Sequence, residues 1–446
     1  MFKILVVFFI LNLLYSICKF KVLVNPSTLF GLGFVIASFM CLYFYDEWVM
    51  QSFKTETFNI FIIGTLLFTG TCSLLCQKKG KYICKENIDD IPIEQLYSKR
   101  IFILISVVTI LQLFVCYYKY STAKILFGTN ATFSELVYMT RLKFRDGDGD
   151  EIYPWWFNQI HNALLGIIPF IYLLFGVVVA KKSLTIKWII FIIVVIFSTS
   201  FSGVLSGAKG GPIQTFFLFF LAIILKYIKI NRKLNISSKY YICVACIGFM
   251  IIFGINAMNN LLGRGDRSNT VDAAIYAGAI YCGAEFKNMD LYIKHPKPTD
   301  VWGENTFRML YRKLDQFGII NYKEKRYESS AIKPFVYIHG LPLGNVYTIF
   351  CDLYWDFGFC GILWMPVMAI VLMIFFNKIF TSSKPVAHVS IWEYFYLTMA
   401  WHTFMSFFSN RFFEAYCNPI ANIRMLIYFY FFDYIFRHWV YLPKNS

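Results

Sequence analysis

Long apolar runs dominate the chain, separated by shorter polar stretches. Residues 2–18, 27–45, 57–76, 101–118, 159–180, 186–203, 212–228, 240–258, 346–376, 391–408 and 419–436 are mainly apolar. A helix needs about 20 such residues to cross a bilayer core. The pattern predicts an all-α, polytopic transmembrane bundle of about 11 spans. The run at 346–376 is too long for one straight span and is expected to break or to lie partly at the interface. The first run could pass for a secretory leader, but it carries one early lysine, Lys3, and no small-residue cleavage pattern. Ile17 before Cys18 also departs from a lipoprotein site. It reads as the first span.

Two long connections interrupt the runs, at residues 119–158 and 259–345. Both are rich in aromatic and aliphatic residues, unlike flexible linkers. In the second, Phe307, Leu310, Leu314 and Phe317 recur at helical spacing, with Arg308, Arg312 and Asp315 between them. That predicts a short amphipathic helix lying on the membrane surface or capping the bundle. No internal repeat, low-complexity tract or boundary of the soluble kind appears, so residues 1–446 read as a single integral membrane domain.

Composition agrees with the pattern. Of 446 residues, 58% are hydrophobic and only 15% charged, against about 25% charged in soluble domains. The net charge of +16 would suggest nucleic acid in a soluble protein. Here it has a simpler source, because lysine and arginine collect in cytoplasmic loops. Lys78, Lys79, Lys81, Lys85, Lys99 and Arg100 fall in one connection, Lys181, Lys182 and Lys187 in another, and Lys226, Lys229, Arg232, Lys233 and Lys239 in a third. Lys378 and Lys384 follow the ninth run, and Arg437 and Lys444 lie in the tail. Alternating spans put all of these on one side. The N-terminus is then expected outside, the C-terminus in the cytoplasm, and both long connections outside.

The 12 cysteines mostly lie in or beside apolar runs, where they read as small packing residues. Cys243 and Cys246 form a C-x-x-C pair without a second pair or a histidine at zinc spacing. Cys282 and Cys417 both fall on the expected outer side, and the sequence leaves open whether they pair.

Polar chemistry gathers at that outer edge, and the apolar runs hold few ionisable residues. Ser206-Gly-Ala-Lys209-Gly-Gly-Pro212 is a turn where backbone amides and Lys209 can approach an anion. Its plainer reading is a tight turn with one interfacial lysine. Gly263-Arg264-Gly-Asp266-Arg267 offers guanidinium forks for a phosphate, or arginines that snorkel or pair with Asp266. Next come Ile338-His339-Gly340-Leu-Pro342-Leu-Gly344-Asn345-Val-Tyr347-Thr348, then Asp352, Trp355, Asp356-Phe-Gly358 and Gly361. A histidine there can carry a proton near neutral pH, though a lone histidine is more often structural. Asn345 and Tyr347 can bond sugar hydroxyls, and Trp355 can stack on a sugar face. Arg141, Lys143 and Arg145 precede Asp146-Gly-Asp-Gly-Asp150, and Arg411 stands with Glu414 between the last two runs. The D-G-D-G-D run lacks the spacing and closing glutamate of a calcium loop and reads as a solvated turn.

Across nearly its whole length the chain resembles the bacterial oligosaccharide repeat unit polymerases of O-antigen and capsule synthesis, the Wzy proteins. The resemblance rests on Asn25-Pro26-Ser-Thr-Leu-Phe30, the basic glycine turn at 206–211, the long second loop, and Gly344-Asn345-Val-Tyr347-Thr348 leading to Asp356-Phe-Gly358 and Gly361. Relatives commonly carry arginine where this chain has Lys209, which leaves a point charge in place of a bidentate fork. The resemblance implies a glycosyltransferase of the bacterial inner membrane, related in fold to the O-antigen ligases and needing no metal or other cofactor. Its substrates would be undecaprenyl-diphosphate-linked oligosaccharides, with membrane lipids, a chain-length regulator and a flippase as partners and no nucleic acid. Arg264, Arg267 and Lys209 would then stabilise the leaving diphosphate, with Arg141, Arg308 and Arg411 as further candidates and His339 as base or positioner. A ligase of the same superfamily is the nearest alternative. A flippase or transporter would want polar spans and short outer loops, and a scaffold would tolerate substitution of His339 and the arginines.

Overall fold

The computed structural model describes residues 1–76, 99–145, 152–181, 183–207, 210–231, 271–294, 296, 301–322, 335–381 and 388–440. Arg264, Arg267, Lys209, the D-G-D-G-D run, the Cys243–Cys246 pair and the expected span at 240–258 lie outside them. The described chain is helical apart from one small hairpin. Among the described residues, eight helices are long and apolar enough to cross a membrane. The chain divides into two compact units: Met1–Tyr82 with Gly278–Ile379 and Met399–Arg424, and Ile83–Ala277 with Phe380–Thr398 and Met425–Ser446.

The first unit opens with α1 (Phe2–Phe20), α2 (Pro26–Tyr43) and α3 (Thr55–Leu75). On α1, Phe2, Leu5, Val6 and Phe9 are buried, while Ile4, Val7, Leu11 and Leu14 on the other face are more than half exposed. A helix apolar all round belongs in a protein core or in lipid, and the exposed face matches lipid. The Asn25-Pro26 motif has a local cause. Asn25 caps α2 by accepting from the Ser27 amide at 2.9 Å, and Pro26 takes the first helical position, where its missing N–H costs nothing. Ser16 and Ser27 (2.7 Å) and Ser27 and Thr69 (3.1 Å) bond across the three helices. Above this seam Phe9, Phe30, Phe34, Phe61 and Phe350 form one ring cluster.

Later in the chain come α9 (Val271–Cys282) and α10 (Ala284–Lys294). Although polar in sequence, α10 is almost wholly buried, and Lys287, Asn288 and Asp290 satisfy backbone left over by neighbours. Asp290 accepts from the Lys54 amide (2.8 Å) and the Thr57 hydroxyl (2.9 Å), capping α3 from outside it. Lys287 donates to the Val49 carbonyl at 2.7 Å. Asn288 donates to the carbonyls of Leu343 and Val346 at 3.2 and 2.8 Å, which pins the chain leaving the hairpin.

That hairpin pairs β1 (Val336–Ile338) with β2 (Leu341–Gly344) through the two residues His339 and Gly340, at φ 49° and 81°. Positive φ at both central positions is the turn that matches strand twist. The run at 346–376 breaks as expected. Helix α12 (Ile349–Phe357) stops at Gly358, φ 59°, a tight 3-10 segment follows, and α13 (Trp364–Thr381) resumes. The amphipathic helix expected near 307–317 forms as α11 (Arg308–Gln316), with no buried residue. Cys282 and Cys417 are free thiols.

The second unit contains α4 (Lys99–Phe127), α5 (Phe133–Arg145), α6 (Trp155–Ala180), α7 (Ile186–Leu205) and α8 (Gly210–Asn231). Helix α6 is its core: Leu164, Ile167, Ile168 and every residue from Phe170 to Val178 are buried, and α8 packs along it. Helix α4 continues past the apolar run 101–118 to Phe127, so Lys119 is helical. Toward the end of the chain, α14 (Ile391–Phe404) and α16 (Pro419–Ile435) have 14 and 17 residues and contribute to both units, with α15 (Arg411–Tyr416) between them.

The spans hold more charge than the apolar runs suggest. Lys226 and Lys229, read from sequence as free loop cations, both belong to α8 and meet the Glu393 carboxylate at 2.9 and 3.2 Å, all three side chains fully buried. Glu393 also accepts from the Ser390 amide while its own amide bonds the Ser390 hydroxyl. That reciprocal pair starts α14, and the two lysines neutralise the carboxylate it buries.

Candidate functional site

Two constellations of polar groups stand apart from routine packing, one in each unit. In the first unit the centre is Asp356, the last acidic residue before the break at Gly358. Its carboxylate accepts from the Asn305 amide (3.1 Å), the Asn305 side chain (3.0 Å) and the Thr306 amide (2.6 Å). Arg308, at the start of α11, donates to Asn305 Oδ1 at 3.3 Å. Helix α11 packs against α15, which begins with Arg411. Arg411 pairs with Glu414 at 3.2 Å and keeps a 53% exposed side chain. Beneath both helix starts lies an aromatic nest: Phe307 meets Trp364 at 5.0 Å and Phe413 at 6.3 Å, and Trp302 meets Phe357 at 4.8 Å. The nest brings the two arginine-led helices together, although they are about a hundred residues apart in the chain.

The other expected residues of this unit are placed differently. His339 is exposed at the hairpin tip, where the turn itself demands a residue tolerant of positive φ, and histidine is among those. Asn345 is exposed just beyond β2. Tyr347, expected to bond sugar hydroxyls, is a core residue at 1% exposure. Its ring stands 6.4 Å from Tyr292, which in turn stacks on Trp355 at 4.4 Å and 22°. One face of the Trp355 indole is therefore already covered, and the aromatic column braces the chain below the hairpin.

A buried acid completes this unit. Glu285, near the start of α10, is fully buried, and neither carboxylate oxygen has a hydrogen-bond partner among the described residues. Burial pushes its carboxyl well above the usual range, against a weaker pull from the nearby amides of Glu285 and Gly283.

In the second unit the polar groups meet where the last third of α4 faces the end of α7. Lys119 is 2% exposed. Its ammonium lies 2.7 Å from Ser206 Oγ, 3.1 Å from Ser202 Oγ, 3.3 Å from the Ser202 carbonyl and 3.1 Å from His161 Nε2. Ser206 opens the basic glycine turn. Its neighbour Gly207 has φ +67°, and a Cβ there would stand 2.6 Å from Arg141 Cβ. Both the backbone and the approach of Arg141 thus require glycine. Arg141 and the turn, far apart in sequence, are in contact. Lys209 lies outside the described residues.

Sequence reasoning missed Lys119, His161, Asn305 and Glu285. A lysine at the end of one apolar run and a histidine inside another were legible as anomalies, but only the fold shows that they meet. Comparison with known proteins yields no match: no family model, no curated protein and no solved structure corresponds to this chain.

Proposed function

We propose that the protein is a glycosyltransferase that polymerises undecaprenyl-diphosphate-linked oligosaccharide repeat units into O-antigen, capsule or exopolysaccharide. It would act at the outer face of a bacterial cytoplasmic membrane. The likeness to such polymerases rests on the sequence motifs. The observation that carries the reading is the patch of the first unit, where Arg308 and Arg411 start adjoining short helices beside the anchored Asp356. A chain segment folded this elaborately, between apolar helices, suits a substrate with a lipid and a glycan. The loop charges support an outer N-terminus and a cytoplasmic C-terminus, although Lys226 and Lys229 belong to a buried ion triad.

In the reaction, a hydroxyl at the non-reducing end of one repeat unit attacks the anomeric carbon of the growing chain. The new C–O bond forms as the bond to the lipid diphosphate breaks. The hydroxyl proton passes to a base, a role His339 is assigned here, and the departing diphosphate keeps the electron pair. Negative charge grows on the leaving group, so cations placed there lower the barrier more than they strengthen ground-state binding. Arg264, Arg267, Lys209, Arg141, Arg308 and Arg411 are the proposed cations. Asn345 and Trp355 are assigned to the glycan.

Each charge-assisted contact contributes about 1.5–3 kcal/mol. Losing an essential arginine should slow polymerisation by roughly one to two decades. Strains carrying Arg264→Ala, Arg267→Ala, Arg308→Ala or Arg411→Ala, with surface glycan resolved by length, test this. Near-normal ladders in all four would overturn the assignment. Lipid-linked polymer left unattached would point to a ligase.

A further inference from the structure

Lys119 presents an energetic problem that its own neighbours do not solve. An ammonium withdrawn from water normally meets a carboxylate, as Lys226 and Lys229 do at Glu393. Among the described residues no carboxylate lies within ion-pair distance of Lys119. Four neutral acceptors surround it, together with the weakly negative C-terminal end of α7. Such contacts satisfy its donors, and none of these acceptors carries a charge to balance it.

His161 adds a second unmet need. An ammonium has no lone pair, so at 3.1 Å His161 Nε2 must accept from Lys119, and the ring proton sits on Nδ1. That Nδ1–H is buried and has no partner among the described residues. A buried donor left unpaired costs about 1–3 kcal/mol. Both deficits are of the kind an anion's oxygens would relieve. Ser206 and His161 are only half-buried, so among the described residues the cluster is not sealed, and the stem of Arg141 lies against Gly207 beside it.

We infer that Lys119, His161, the Ser206–Gly207 turn and Arg141 form a phosphate-class anion site. An entering oxygen would take the place of the Ser206 hydroxyl on Lys119, and Arg141 would hold the outer part of the same anion. The ligand chemistry is a phosphate or diphosphate group, borne on a lipid or free. The inference deepens the polymerase proposal, because a lipid diphosphate is that reaction's leaving group, and it adds Lys119 and His161, which the motifs do not mark.

The test uses the purified full-length protein in nanodiscs of zwitterionic lipid, with farnesyl diphosphate and inorganic pyrophosphate as probes in thermal-shift titrations. The wild type is expected to be stabilised in a saturable way. Lys119→Gln and Arg141→Gln should each weaken binding about ten- to a hundredfold, with Lys119→Arg retaining more affinity than Lys119→Gln. Stronger binding of the farnesyl probe would identify a lipid headgroup, and equal binding a free diphosphate. Unchanged affinity in Lys119→Gln would overturn the site and leave Lys119 as a cap on α7. If that variant does not fold, unchanged affinity in Arg141→Gln overturns it equally. Failure of both probes to bind the wild type would also overturn it. No glycan enters the assay, so a protein that binds here yet makes no polymer in cells would sink the polymerase proposal alone.

Discussion

Glu285 and Glu393 are both buried carboxyl groups, and their surroundings give them opposite characters. Glu393 faces two lysines, so its charge is matched. Removing it leaves two ammonium groups in a dry site, and breaking a buried pair costs about 3–5 kcal/mol. Glu393→Gln should therefore lower the midpoint of thermal unfolding in detergent markedly, whereas Arg411→Gln, whose pair with Glu414 is exposed, should change it little. Equal effects would contradict the account of the triad. Among the described residues Glu285 has no such partner, and burial holds its carboxyl well above the usual carboxylate range. A group with a raised folded pKa gives its full stabilisation below the unfolded value and loses it as pH rises through the folded one. Glu285→Gln should match the wild type near about pH 4 and exceed it in melting temperature from about pH 6 upward. A constant offset across that range would show that the carboxyl does not titrate with folding.

At the scale of elements, the apolar runs foretold most helices within a few residues, because crossing a membrane or a core demands long uninterrupted apolar sequence. The break in the ninth run was legible from its length, and α11 from the spacing of Phe307, Leu310, Leu314 and Phe317. What escaped was polarity put to structural use. The sequence of α10 looks like loop, yet Asp290, Lys287 and Asn288 are buried because they complete hydrogen bonds for α3, the Val49 carbonyl and the hairpin exit. Those partners are distant in the chain, and no local pattern encodes them. The site was legible in the same uneven way. Arg308 and Arg411 stood out as outer arginines, but their adjacency depends on the aromatic nest under α11 and α15. The hairpin allows a clean separation of turn from chemistry at His339. Asparagine is favoured where both central residues have positive φ, so His339→Asn should preserve the fold and the melting temperature. If His339 takes the acceptor's proton, that variant should lose about two decades of polymer formation or more. Full-length glycan from His339→Asn would reduce the residue to a turn former.

For the whole molecule, the main physical fact is the quantity of apolar surface left uncovered. Ile4, Leu11, Ile110, Ile186, Ile193, Phe197, Leu363 and Ile427 are each more than half exposed on apolar helices, which water would not tolerate and hydrocarbon would. Against that background the anchored Asp356, the paired helices led by Arg308 and Arg411, and the Lys119 cluster stand out as polar groupings, and the proposal gives them a shared task on a lipid-borne glycan. The most direct measurement is a deletion strain, alone and complemented with the wild-type chain, whose surface glycan is resolved by length on a gel. The account predicts that the ladder collapses to single repeat units in the deletion and returns with the wild type. An unchanged ladder in the deletion would contradict it.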